Sequence, residues 1–256
     1  MRLLEVNNLS ISYKIEDTSY LAVSEVSFTL EEGQVLGIAG ASGSGKSTIA
    51  KGILGILSAN AVIEGEIIFQ GKDLLKRSRK KMDKIRGREI SMVFQDPSTA
   101  LNPVRIIKRQ FYDILASVSK DKSVLDKIIL NKLESVHLAD AAEVMNKYPY
   151  ELSGGMKQRI VIAAALSLSP QVLIADEPTS AIDASIKKQI IMELKSLKAR
   201  ENLAMVYISH NLAELKSVCD DIIIMKDGII IEQNATAEIF SSPQETYTIE
   251  LIASII

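Results

Sequence analysis

Residues Gly40-Ala-Ser-Gly-Ser-Gly-Lys46-Ser47 match the pattern GxxxxGK[ST], between a strand-like run (Gln34 to Ala39) and a helical one (Thr48 to Leu57). That placement restricts the chain to folds in which a β-strand delivers a glycine loop straight onto a helix N-terminus. Glycines at 40, 43 and 45 let the backbone curl until successive N–H groups converge, and the following helix adds the positive end of its dipole. Such a loop cradles phosphate. Gly40, Ser42, Gly43, Ser44, Gly45, Lys46, Ser47 and Thr48 are therefore the candidate nucleotide-binding residues, with Lys46 reaching the β- and γ-phosphates and Ser47 offering a hydroxyl to Mg²⁺. Kinases, GTPases, helicases and transporters share this loop, so it does not by itself select a function.

At 256 residues the chain has room for one large α/β domain with an inserted subdomain, but not for a tandem pair of such domains. A net charge of -2 argues against a duplex-binding surface spread over the whole protein while leaving room for a local basic patch, and no nucleic-acid partner is expected. The start, MRLLEVNNLS, carries no apolar leader, and no run reaches the length of a membrane span. The chain is expected to be neither secreted nor membrane-spanning by itself. Cys219, the only cysteine, cannot form an intrachain disulfide and is expected in the core. The basic run from Lys72 to Arg88 is diluted by Asp73 and Asp83, which predicts a solvated helix face near the membrane side.

Along the chain the pattern alternates between strand and helix. Strands are predicted at Leu3 to Leu9, Val23 to Leu30, Gln34 to Ala39 and Glu66 to Gln70. Between Pro97 and Tyr150 the spacing is helical, as in Ile107, Phe111, Ile114 and again Leu125, Ile129, Leu133. Further strands are predicted at Val172 to Ala175, Ala204 to Ile208 and Ile222 to Met225. The layout is an α/β core interrupted by a helical insertion. We expect a single domain over residues 1–256: core 1–95 and 160–240, helical subdomain about 96–159, and a short helical tail 241–256.

Two further segments carry chemistry. Leu152-Ser153-Gly154-Gly155-Met156-Lys157-Gln158-Arg159 precedes the apolar helix Ile160 to Leu168 and, read alone, is an ordinary helix N-cap. Val172-Leu-Ile-Ala-Asp176-Glu177 is an apolar strand ending in two carboxylates. There Asp176 can hold Mg²⁺ through water and Glu177 can polarise an attacking water.

With these motifs in order, the chain resembles the ATP-binding cassette (ABC) ATPases over nearly its whole length. The resemblance implies a P-loop NTPase (RecA-like) core with an N-terminal antiparallel β subdomain and an inserted α-helical subdomain. It also implies that Tyr13 stacks on adenine, that Gln95 in Val93-Phe94-Gln95-Asp96-Pro97 contacts Mg²⁺ or water, and that His210 contacts the γ-phosphate. Ser153, Gly154 and Gly155 would cap the ATP of an opposing cassette, and Asp183, in Ser180-Ala-Ile-Asp183, would join that interface. Glu177, His210 and Gln95 are the catalytic candidates; Ser47, Gln95 and Asp176 are the Mg²⁺ candidates.

A finer resemblance, to the dipeptide/oligopeptide/nickel importer ATPases, rests on Gly71-Lys-Asp-Leu-Leu75, Ile85-Arg-Gly87, Phe94-Gln-Asp-Pro97, Ala100-Leu-Asn-Pro103 and Met156. It implies a peripheral subunit at the cytoplasmic face of the cell membrane, paired with a second ABC ATPase subunit. Two permease subunits, and indirectly an extracellular substrate-binding protein, would complete the importer. Relatives often show a His-Pro-Tyr-Thr run where this chain has Glu245-Thr246-Tyr247-Thr248. The short ending leans towards the nickel or metal-chelate branch. A soluble ABC ATPase of DNA repair or translation is the alternative, but the interval from Gln95 to Leu152 fits only a small helical subdomain, not a long coiled coil.

Overall fold

The structure, a computed structural model, describes the backbone of residues 1–16, 18–179 and 184–254, and their side chains except at 184, 185 and 199–201. In chain order the strands are β1 (Arg2–Ile15), β2 (Thr18–Glu31), β3 (Val35–Gly40), β4 (Ala61–Phe69), β5 (Lys72–Asp73), β6 (Ile90–Val93), β7 (Val172–Asp176), β8 (Ala204–Ile208), β9 (Asp221–Lys226) and β10 (Ile229–Ala235). The helices of the first half are α1 (Lys46–Leu54), α2 (Arg79–Ile85), α3 (Pro97–Ala100), α4 (Ile107–Leu115), α5 (Lys122–Ser135) and α6 (Ala141–Val144). Those of the second half are α7 (Gly154–Ala165), α8 (Ala184–Glu201), α9 (Leu212–Val218), α10 (Thr236–Ser241) and α11 (Thr246–Ala253). They divide into two compact units, residues 1–86 with 204–256 and residues 87–203.

In the first unit β1 is the hub of an antiparallel sheet of order β2-β1-β4-β5. Val6 faces Phe28 on one side and Ile67 on the other, and all three side chains are buried. Beside this sheet's strands in sequence lies a second arrangement, in which β3 runs parallel to both β8 and β9 and β10 pairs antiparallel with β9. Every residue of β3 is buried, which is why Val35-Leu-Gly-Ile-Ala-Gly40 reads as an unbroken apolar run and not as an alternating one. Cys219 is buried, as its surroundings in the sequence suggest.

The second unit pairs β6 with β7 in parallel, Ile90 opposite Val172 and Val93 opposite Ala175. Helices α3 to α8 complete it. Ile107, Phe111, Leu125, Ile129 and Leu133 are buried as their spacing predicts, whereas Ile114 is half-buried and Leu115 takes the inward position on α4. Strands β6 and β10 escape the sequence reading for separate reasons. Ile90-Ser-Met-Val93 is only four residues long and follows a charged helical stretch, too short to declare a period. In β10 the apolar content fades into Glu232-Gln233-Asn234, as suits a strand bonded along one side.

Candidate functional site

The phosphate loop is built from the end of β3. Gly40, its last residue, has φ +148, and a Cβ there would lie 2.2 Å from the Met225 carbonyl oxygen. Only glycine fits. Gly45 has φ +96 and would bring a Cβ within 2.6 Å of the Ala22 carbonyl oxygen, so the loop is threaded between backbone segments on two sides. Gly45 is also the N-cap of α1 and supplies no side-chain acceptor to the first-turn N–H groups. A nine-residue helix thus starts with inward N–H donors and no carboxylate in its first turn, the arrangement that suits an anion.

Lys46 lies at the centre of the loop and is only 6% exposed. Its ammonium donates to the carbonyl oxygens of Gly40 (2.9 Å) and Ala41 (2.7 Å) and to Ser44 Oγ (3.4 Å). Held by these oxygens, the ammonium puts positive charge where a phosphate would enter. Ser42 and Gly43 lie exposed on the loop, Ser44 is buried, and Ser47 and Thr48 are half-buried in the first turn of α1. The cradle and its cation fit a nucleotide triphosphate.

The same unit holds His210 and Tyr13. His210 is exposed on the turn between β8 and α9. That turn is stiff: Asn211 caps α9 by accepting from the Ala213 and Glu214 N–H groups, and Ser209 Oγ accepts from the Asn211 N–H at 3.0 Å. Ser209 and Tyr207 hydroxyls in turn donate to the buried Glu214 carboxylate, each at 3.3 Å. Tyr13 sits half-buried on β1, opposite Tyr20 of β2 and Ala61 of β4.

In the second unit, β7 carries Asp176 and Glu177 to its C-terminal end. Asp176 is 3% exposed. Glu177 follows with φ +46, a left-handed conformation uncommon outside glycine and concentrated at functional sites, which turns its side chain out of the strand direction. Gln95, two residues past β6, donates from Nε2 to Glu177 Oε2 at 3.1 Å. The amide and the carboxylate thus meet across 82 residues of sequence. The next residue, Asp96, caps α3 by accepting from the Ser98 N–H at 2.8 Å.

Ser153 is the N-cap of the 12-residue α7 and accepts from the Met156 N–H at 3.3 Å. The plain capping role is therefore real, and it leaves Ser153 and Gly154 exposed at a helix N-terminus. Arg159, one turn on, braces this end: Nε donates to the Gly155 carbonyl at 3.4 Å and a terminal nitrogen donates to the His137 carbonyl at 2.5 Å. Burial pushes its guanidinium pKa down. His137 contributes a backbone carbonyl here, which no side-chain motif reveals. Asp183 and the rest of 180–183 lie outside the described residues.

Comparison with known proteins fits this geometry. Residues 23–180 match the family model described as ABC transporter. The oligopeptide transport ATP-binding protein OppD of Haemophilus influenzae is 41% identical over 99% of this chain and 79% of its own length. The dipeptide transport ATP-binding protein DppD of Lactococcus lactis is 42% identical over 99% of this chain and 73% of its own. Among solved structures, a dimeric post-hydrolysis ATP-binding cassette bound to ADP and Pi superposes with a TM-score of 0.83 at 27% identity, covering 91% of this chain and 99% of that one. A glycine cradle around a buried lysine, a strand-end carboxylate pair and relatives alike along almost the full chain lead to one conclusion: the chain belongs to the ABC transporter family, as an ATP-hydrolysing cassette.

Proposed function

We propose that this cassette powers the import of short peptides. It would act with a second ABC ATPase subunit, beneath two membrane permease subunits that receive cargo from an extracellular substrate-binding protein. The peptide names of the relatives support this cargo over nickel or another metal chelate. Among the described residues no helix is long and apolar enough to cross a membrane, which is compatible with a peripheral position at the cytoplasmic face.

The chemistry follows from the side chains. Lys46 and the first-turn N–H groups of α1 would hold the phosphates, and Tyr13 would stack on the base. Ser47 and Asp176, with the Gln95 amide, are the oxygen donors proposed for Mg²⁺, a hard ion that such a set suits; bound, it would offset charge on the phosphate oxygens. Glu177 would take a proton from water, and His210 would contact the γ-phosphate. Ser153, Gly154 and Gly155, with Asp183, would face the nucleotide of the partner cassette.

The observation that carries this reading is the Gln95–Glu177 hydrogen bond at 3.1 Å. It holds the proposed base in one orientation and ties it to a surface that can pass the information on. Gln95 leads directly into Asp96 and α3, and beside that segment lies a groove of about 380 Å³ lined by Phe94, Leu101, Asn102, Arg105, Phe111 and Ile114 among others. A permease helix seated there would feel any change in the Gln95 contact. Replacing residues 96–102 by an unrelated loop of equal length tests the idea. Peptide uptake and permease-stimulated hydrolysis should fall while ATP affinity persists; unchanged uptake would remove the coupling role.

A further inference from the structure

The segment Glu245-Thr246-Tyr247-Thr248 reaches the phosphate loop of its own unit. Tyr247, in the first turn of α11, accepts a hydrogen bond on its phenol oxygen from the Ala41 N–H at 3.0 Å. The Ala41 carbonyl accepts from Lys46 Nζ at 2.7 Å and from the Ser44 N–H at 3.2 Å. Both peptide groups of Ala41 are therefore tied, one to the C-terminal helix and the other to the loop lysine.

The helix that carries Tyr247 is itself anchored. Glu232 on β10 accepts from the Gln244 N–H at 2.9 Å and the Glu245 N–H at 3.2 Å, one carboxylate oxygen to each, just before α11 begins. Thr248 is fully buried in the next position, and the Lys226 ammonium lies 5.0 Å from the centre of the Tyr247 ring. Held from β9, β10 and its own first turn, the phenol has little freedom to leave Ala41.

We infer that Tyr247 is a positioning residue for ATP binding: its oxygen sets the Gly40–Ala41 peptide, and through the Gly40 carbonyl of that peptide the place of the Lys46 ammonium. This rests on the reading of residues 40–48 as the nucleotide loop. A loop that must present several donors at once loses affinity when its first peptide can rotate. One net hydrogen bond corresponds to a change of about two- to tenfold in an equilibrium constant.

Tyr247→Phe is the discriminating variant, since it deletes only the oxygen and leaves the ring beside Lys226. Three quantities are measured on the purified full chain: equilibrium ATP affinity, melting temperature and amide hydrogen exchange across residues 40–48. The expected result is a Kd weakened by about two- to tenfold, faster exchange in the loop, and a nearly unchanged melting temperature. A purely structural tail would lower the melting temperature and leave the affinity of the folded protein alone, which would overturn the inference. Lys46→Ala is run in parallel. If it binds ATP as the parent does, the loop reading itself falls; if it loses ATP while Tyr247→Phe keeps the parent Kd, only the role of Tyr247 is refuted.

Discussion

Two loop glycines with similar backbone angles give a controlled test of how the phosphate loop is built. Gly43 (φ +83) and Gly45 (φ +96) are both left-handed, but a Cβ at Gly43 meets nothing within 4 Å whereas one at Gly45 falls 2.6 Å from the Ala22 carbonyl and 3.1 Å from Val23 Cγ2. Alanine at either site carries the left-handed penalty of about 1–2 kcal/mol. At position 45 a backbone oxygen must also move by several tenths of an ångström, adding roughly 1–3 kcal/mol. With each kcal/mol worth about 2–4 °C for a chain near this size, Gly43→Ala should lower the melting temperature by about 5 °C and Gly45→Ala by about 10 °C. Differential scanning calorimetry without nucleotide separates this from any contact with phosphate. Equal losses would show that strain alone matters and that the close approach of residues 22–23 does not hold the loop.

Ser153→Arg should leave ATP binding by the single chain intact but abolish ATP-induced dimers in sedimentation, since the exposed N-terminus of α7 is the surface proposed to meet the opposing nucleotide; a dimer as stable as the parent's would contradict that. Gln158 is fully buried, with neither amide atom hydrogen-bonded among the described residues, so Gln158→Met should hold or raise the melting temperature by about 1–3 °C, whereas a fall of several degrees would mean the amide is satisfied in solution. Partial burial pushes the Glu232 carboxyl up, but the hydrogen bonds it accepts from the Gln244 and Glu245 N–H groups help to outweigh this, and its pKa is held below the usual carboxylate range. Its stabilisation is then complete above the unfolded value of about 4.3 and lost as pH falls through the lower folded value. Between pH 6 and pH 3 the parent should therefore lose more melting temperature than Glu232→Gln; parallel curves would remove Glu232 from the anchoring of α11.

The features that could be read from sequence are those whose physics is local. A strand, a glycine loop and a helix in sequence suffice to recognise residues 34–57, because each part constrains its neighbour. The carboxylates after β7 and the cap at Ser153 are likewise local. What escaped depends on contacts across the chain or on backbone angles. The Tyr247–Ala41 hydrogen bond spans 206 residues, and nothing about a tyrosine in a short apolar helix announces it. The left-handed turn at Glu177 has no glycine to mark it, since the strain is held by its surroundings. The division into compact units also follows long-range pairing: residues 204–256 join residues 1–86 because β8 and β9 flank β3, a partnership that local periodicity does not encode.

The central claim is that this chain hydrolyses ATP with Glu177 as the base held by Gln95, and Glu177→Gln tests it most directly. The substitution keeps the shape of the side chain and removes the charge that draws a proton from water. Turnover by the purified protein should fall by roughly 10²-fold or more, with ATP affinity within about twofold of the parent. Near-normal hydrolysis at unchanged affinity would mean that another group activates the water and that the account of this site is wrong.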